Sequence, residues 1–371
     1  MKLQRDKNLY QDTFKDRFRV KPGMTDFRSV LKRINQRLFH STHQDIGIVS
    51  AFLIPCIVLL VYRFTIDAHI CDDAYITFKV ALNAATGNGF VFNTHQKVYV
   101  VTCPLWAMIL ALGRMVVPDI IQVAKFFGTI FELLFLCSIV HLGYVVTNCR
   151  KIGVFWAILI ATNPVYLLTS FSGMELSLFL FLLTLSFIFL VRGDNMVSLI
   201  FAAVTIWARV DGFLIYIISS GFVLFALRHK LRKNPLNIII EFSASLFIIA
   251  GYILFGLLYY GEIIPAGAQV KTSFAPDLFS AQWQQAAQEL AFQICNAFRG
   301  RNTYWYTTNT PYWILIVPFF MGIIKIMRSR NTKILPLLVF TVVYSLSLIF
   351  SGVYSARGVP WYFAPILPGI Y

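Results

Sequence analysis

Long apolar runs recur along the chain, at about 46–63, 101–117, 120–147, 153–170, 175–191, 197–227, 237–260, 312–327 and 335–350. Inside each run the apolar residues are continuous and do not alternate with period two, which predicts helices. About 20 apolar helical residues cross a bilayer, and in lipid only helices or closed barrels satisfy their own backbone. The expected fold is therefore all-α, a polytopic transmembrane helical bundle of about 9–11 spans. Two further stretches show helical spacing without full apolarity. Ala74, Phe78 and Leu82 predict a helix lying on the membrane surface just after Asp73. Trp283, Ala287, Leu290, Ile294 and Phe298, interleaved with Gln282, Gln285, Gln288 and Glu289, predict an amphipathic helix in an external segment at about 274–309. The Asn302–Tyr312 stretch after it is rich in Tyr, Thr and Asn, side chains that suit either a polar ligand or the packing of a plain loop.

Composition agrees with the pattern. Hydrophobic residues make up 58% of the chain and charged ones 13%, where a soluble domain carries roughly a quarter charged. The net charge of +15 is unevenly placed. It gathers in residues 1–45, at Arg150-Lys151, at Arg228–Lys233 and from Lys325 to Lys333. Positive residues collect on the cytoplasmic side, so 1–45 reads as a basic cytoplasmic segment and 46–371 as the transmembrane domain. Attraction to anionic headgroups accounts for the basic block better than nucleic acid does. The first run has no small-residue cleavage site after it and reads as a retained helix in the inner membrane. Residues 65–100 then lie outside. Two full crossings between 101 and 147 would conflict with an internal Arg150-Lys151, so one of them is expected to be partial, re-entrant or split. A break near Arg209–Gly212 is needed to make two short crossings of 197–227. The last mixed run, Trp361 to Pro368, is too short to cross, so Tyr371 is expected outside or at the outer interface.

Polar residues able to do chemistry are few, and they cluster at the expected outer boundaries. Asp72 and Asp73 follow the first span directly; such a pair suits a general base or a divalent-cation seat, and alternatively an acidic helix N-cap. Cys71 and Cys103 flank the external loop, where a disulfide between them is permitted in an oxidising compartment. No Cys-x-x-Cys spacing, phosphate loop or nucleophile elbow occurs. His95 reads as a surface histidine.

Asp72-Asp73-Ala74-Tyr75-Ile76-Thr77-Phe78, the Asn/Gly turn, Val91-Phe92-Asn93 and Pro104-Leu105-Trp106 resemble the arabinofuranosyltransferase-like branch of the GT-C glycosyltransferases. The resemblance continues at Ser172-Gly173-Met174-Glu175, Ala208-Arg209-Val210-Asp211-Gly212, Tyr259-Tyr260-Gly261-Glu262 with Pro265 and Lys271, and Trp361-Tyr362-Phe363-Ala364-Pro365. It covers about residues 46–371. It implies transfer of a sugar from a polyprenyl-phosphate donor to a glycan or lipid acceptor, with inversion, on the outer face of the membrane. Asp73 or Asp72 would be the base, and Glu175 an orienting or base-assisting acid; a bland reading of Glu175 is a carboxylate set against a helix dipole. Arg209, Lys271 and Arg357 are candidates for the leaving phosphate. The alternatives are a salt bridge from Arg209 to Asp211 across the helix break, and interfacial anchoring by Lys271 and Arg357. Tyr75, Asn93 and Trp106 complete the expected substrate contacts. No organic cofactor is implied.

The chain departs from the family pattern at Cys103, where relatives carry Asn or Ser, and at Pro265-Ala266-Gly267. Relatives also continue past the Trp361 station, so the resemblance implies a shortened form. A membrane scaffold related to flagellar motor control and a secondary transporter are the competing classes. Transporters tend to place ionisable groups near the bilayer midplane and to show matching halves. Here the acids are expected at the outer boundaries, and the halves do not match.

Overall fold

A computed structural model describes residues 70–231, 236–273 and 332–350, with scattered positions between 52 and 61 and at 288, 291, 365 and 368. The chain divides into units Met1–Val49 and Ser50–Tyr371, and every described residue belongs to the second. The basic amino-terminal segment, the amphipathic segment at about 274–309, the 312–327 run, Arg357 and the Trp361 station lie outside the described residues.

The described chain is all-α. Its helices are α1 (Asp72–Ala85), α2 (Pro104–Arg114), α3 (Ile120–Thr147), α4 (Arg150–Ala161), α5 (Pro164–Ser170) and α6 (Leu176–Arg192). Then follow α7 (Asn195–Ala208), α8 (Gly212–Leu231), α9 (Leu236–Phe255), α10 (Ala266–Ser273) and α11 (Leu335–Phe350). α9 continues into a π-helical turn, Gly256–Tyr260, and a 3-10 turn, Thr332–Ile334, leads into α11. No strand occurs among the described residues; one isolated bridge pairs Asn93 with Gln96.

Two helical stretches are long and apolar enough to cross a membrane, Ile120–Thr147 with 28 residues and Ile238–Tyr260 with 23. The other apolar helices are shorter. At 1.5 Å per residue α3 is about 42 Å long and α2 only about 16 Å. Of the two runs between 101 and 147, only the second forms a helix long enough to cross. Pro104 starts α2, and Asp119 starts α3 by accepting the Ile121 N–H at 2.9 Å. The 153–170 run is divided at Asn163-Pro164, where Pro164 cannot donate and the Asn163 side chain accepts from the Tyr166 N–H at 3.2 Å. The expected break after Ala208 is present, with Arg209 extended at φ −157° and ψ 143°.

Packing rests on small residues and buried hydroxyls, as apolar helices require when oil-like side chains alone confer little specificity. α3 and α4 form a hairpin about Asn148, which adopts left-handed φ 57°. Their backbones meet at Gly143 and Gly153: a Cβ on Gly143 would lie 2.5 Å from the Gly153 Cα. Ser186 and Ser198, on α6 and α7, each donate to the other's backbone carbonyl, at 3.1 and 2.9 Å, and Ser219 on α8 approaches Ser186 at 3.3 Å. Trp207 on α7 donates its indole N–H to the Ile248 carbonyl on α9 at 3.1 Å.

One expectation fails here. Glu132 lies in the middle of α3 and is buried, so the acids are not confined to helix ends.

Gly153→Val should destabilise the chain by roughly 1–3 kcal/mol, because a side chain there meets the α3 backbone. Gly221→Ala, which faces open space in α8, should gain a few tenths to about 1 kcal/mol. Thermal unfolding of the purified chain in detergent measures both; equal effects would contradict the close α3–α4 approach.

Candidate active site

Asp72 and Asp73 occupy the first turn of α1, a favourable place for carboxylates beside unpaired N–H groups and the positive end of the helix dipole. The N-cap is Cys71, so neither aspartate caps the helix. α1 is more deeply set than a surface helix: Ala74, Thr77, Phe78, Val80, Ala81 and Asn83 are buried. The same phase leaves Asp72 and Tyr75 exposed, with Asp73 half-buried.

This helix start sits on the Ser172–Glu175 turn. The Cys71 N–H donates to the Ser172 carbonyl at 3.0 Å. Gly173 adopts φ +81°, and a Cβ there would lie 2.9 Å from Phe78 and 3.4 Å from Ala74. Any other residue would therefore be strained in backbone and crowded by α1. Trp106, 1% exposed on α2, donates its indole N–H to the Gly173 carbonyl at 3.2 Å.

Glu175 is the N-cap of α6 and is 3% exposed. Its Oε1 lies 3.5 Å from Nη1 of Arg209, which is itself 5% exposed. Arg209 donates Nε and Nη2 to the two oxygens of Asp211 at 2.9 and 3.1 Å, a paired contact, and lies 5.2 Å over the Phe179 ring. Tyr344 on α11 donates to Asp211 Oδ2 at 2.6 Å. On the other side the Cys103 thiol faces both Glu175 and Thr77, the latter at 3.4 Å. A continuous polar chain thus runs from Thr77 through Cys103, Glu175, Arg209 and Asp211 to Tyr344.

Burial pushes the Glu175 carboxyl above the usual carboxylate range, against the pull of Arg209. Burial also drives the Cys103 thiol well up, and Glu175 adds to the shift, so Cys103 is a protonated packing and donor group. For Arg209 burial opposes the charge, but Asp211, Tyr344 and Glu175 outweigh it and hold the guanidinium cationic. Among the described residues no group of acids, histidines and cysteines has the arrangement of a metal site.

The loop after α1 is tied down separately. Asn83 donates to the Val91 and Phe92 carbonyls at 2.8 and 2.9 Å. The Phe90 N–H donates to Tyr259 Oη at 2.8 Å, while Tyr260 donates to the Phe90 carbonyl. Tyr99 stacks on Tyr260 with ring centroids 4.5 Å apart, and its carbonyl accepts from the Ala266 N–H at 2.6 Å. Asn93 is exposed and bonds Gln96 at 3.1 Å, a turn contact.

Of the expected site residues, then, Glu175 and Arg209 are in direct contact. Trp106 and the aspartate helix converge on the turn that carries Glu175. Asn93 is held by its own turn, and Tyr75 points outward with its ring edge-on to Phe78 at 5.7 Å. Lys271 belongs to α10, but its side chain is outside the described residues, as is all of Arg357. Sequence reasoning missed Thr77 and Tyr344. The signal for Thr77 was its place on the apolar phase of α1; Tyr344 is one hydroxyl in an apolar run and gives none. The expected Cys71–Cys103 disulfide is absent: both thiols are free, and Cys103 is turned to Thr77 and Glu175.

The chain matches no family model, no curated protein and no solved structure.

Maleimide labelling without reductant should modify the half-buried Cys71 readily, and Cys103 only after denaturation. Recovery of Cys103 labelling only after reduction would show the disulfide instead.

Proposed function

We propose that the chain is a multi-pass inner-membrane glycosyltransferase with a cytoplasmic amino terminus, acting on the outer face. It moves a sugar from a polyprenyl phosphate to a glycan or lipid acceptor. The observation that carries this reading is the convergence of distant acid- and base-bearing segments. Cys71–Asp73, Cys103–Trp106, Ser172–Glu175 and Arg209–Asp211 lie far apart in the sequence, yet they meet through the bonds from Cys71 to Ser172, Trp106 to Gly173 and Arg209 to Glu175.

The same contacts support alternating crossings. If α2 is partial, α3 runs inward to Arg150-Lys151, and α4 with α5 returns outward to Ser172. α6 and α7 then form a hairpin whose open ends bring Glu175 to Arg209, and α8 leads back to the basic residues at 228–233. α9 rises to Tyr259 and Tyr260, which hold the loop at Phe90. Lys333, before α11, bonds the Val145 carbonyl near the inward end of α3 at 3.3 Å. Exposed apolar side chains such as Phe247 on α9 and Leu258 on the π-helical turn after it suit contact with lipid.

In this reading Asp73 or Asp72 takes the proton of the acceptor hydroxyl as its oxygen attacks the anomeric carbon. The bond to the lipid phosphate breaks on the opposite face, giving inversion in one displacement. Lys271 and Arg357 stabilise the departing phosphate, whose charge grows in the transition state. Arg209 is already paired with Asp211, so its part is to position Glu175 and the turn that supports the aspartate helix. The divalent-cation seat at the aspartates is an alternative.

Glu132 favours a second reading, transport, since a carboxyl buried mid-helix is the feature transporters use. The two separate cleanly: transfer predicts that Glu132→Gln keeps donor turnover, and transport predicts that it does not matter whether a sugar acceptor is present.

Asp72→Asn and Asp73→Asn should be compared for turnover and for binding of a polyprenyl-phosphate sugar. Loss of the base should lower turnover about 10²–10⁴-fold with donor affinity kept. Full turnover in both variants would exclude the aspartates as base. A cysteine placed at Thr94, in a background lacking others, should react with an impermeant reagent in intact spheroplasts; protection there would reverse the assigned orientation.

A further inference from the structure

Arg209 and Glu175 are buried at a corner where Asp211 stays partly exposed, and among the described residues their charges do not balance. Asp211 takes Nε and Nη2 of Arg209 at 2.9 and 3.1 Å and the Tyr344 hydroxyl at 2.6 Å. Glu175 is left with one longer approach, 3.5 Å from Nη1, and its Oε2 is buried without a hydrogen-bond partner. One guanidinium therefore faces two carboxylates among the described residues, a formal charge of −1 if both are ionised. A buried carboxylate without full compensation neutralises by taking up a proton. Its neighbours decide which carboxylate does so. Asp211 has three donors in contact, whereas Glu175 has the far edge of a guanidinium already engaged elsewhere and the weak donor of the Cys103 thiol.

We propose that Glu175 holds a proton at neutral pH and is the neutral, hydrogen-bond-donating member of the cluster, with Asp211 as its ionised partner. The titratable and charged groups facing it are the Cys103 thiol at the start of α2, and Arg209 and Asp211 at the corner between α7 and α8. Tyr344 acts on it through Asp211, and Thr77 through Cys103. The direction of the Glu175 shift, upward through burial, agrees with the geometry. A neutral acid donates to an oxygen and does not accept a proton from a hydroxyl. Within the sugar-transfer reading, on which this one consequence rests, Glu175 is then a positioning donor toward a ligand or turn oxygen, and base work falls to the aspartates alone. The protonation state itself holds whatever the reaction.

Infrared difference spectroscopy on the full chain in lipid nanodiscs, without substrate, tests the proposal. Subtracting Glu175→Gln from the wild type at neutral pH should reveal one protonated carboxyl band, distinct from any band removed by Glu132→Gln. Asp211→Asn removes the competing charge, frees Arg209 for Glu175 and should replace that band by a carboxylate band. A variant with a merely structural defect would not exchange the one band for the other. Stability provides a second readout if Glu175→Gln gives poor spectra. A carboxyl raised above its unfolded value contributes stability that is complete below the ordinary carboxylate range and is lost as pH rises through the folded value. Wild-type melting temperature should fall across that interval, and the fall should be absent in Glu175→Gln. A missing protonated band in the wild type, a band indifferent to Asp211→Asn, or parallel pH profiles would each overturn the proposal. Because no donor or acceptor is present, such a failure would leave the sugar-transfer reading untouched, and that reading fails separately if the aspartate variants keep full turnover.

Discussion

A buried guanidinium imposes more on its surroundings than any apolar side chain, because its charge must be answered where water cannot reach it. Arg209 sits at the point where one long apolar run is broken into α7 and α8. Its extended backbone takes the chain out of the helix, and the paired contact to Asp211 two residues later closes the corner. Tyr344 brings α11 to the same carboxylate, and Glu175 brings the start of α6. Gly212 is part of the device, since a Cβ there would lie 2.5 Å from the Thr205 backbone. Remove the pairing and the corner has no reason to be buried.

The corner in turn supports the aspartates. Glu175 ends the turn whose Gly173 admits α1 at close range, and Trp106 fixes that turn from α2. The loop beyond α1 is held from the opposite side by the hydroxyls of Tyr259 and Tyr260, on a π-helical turn that sets two adjacent aromatic side chains toward Phe90. Single π turns inside helices are often found at functional sites. Two separate anchors thus fix the start of α1, where Asp72 and Tyr75 are exposed, and the loop that follows it. Under the proposed transfer, such a frame would hold the aspartates in place at its edge.

Much of this was legible in the sequence because helical periodicity and breaks are local properties. The runs at 120–147 and 237–260, the break at Arg209 and the helix after Asp73 follow from apolar phase and from where polar residues interrupt it. The shortness of the helix at 104–114 was not legible: an apolar run of that length reads the same whether it continues or stops, and near its end Gly113 packs closely against α3. The Arg209–Asp211 pair could be read as a staple from its spacing of two, but the roles of Tyr344 and Cys103 could not, since both depend on contacts across the fold. Glu132 was overlooked inside an otherwise apolar stretch. The disulfide expectation failed because loop position says nothing of which way a thiol points.

The most direct test of the ionic corner is a double-mutant cycle on Arg209→Met and Asp211→Leu, read as unfolding free energy of the purified chain in mixed micelles. Arg209→Met leaves the Asp211 carboxylate without its partner and should cost up to about 3–5 kcal/mol, whereas Asp211→Leu leaves Glu175 to answer the guanidinium and should cost less. The double change removes both charges, so its cost should fall well short of the sum, with a coupling of at least about 1 kcal/mol. Additive costs would mean that the two side chains do not hold the corner together, and the account built on it would be wrong.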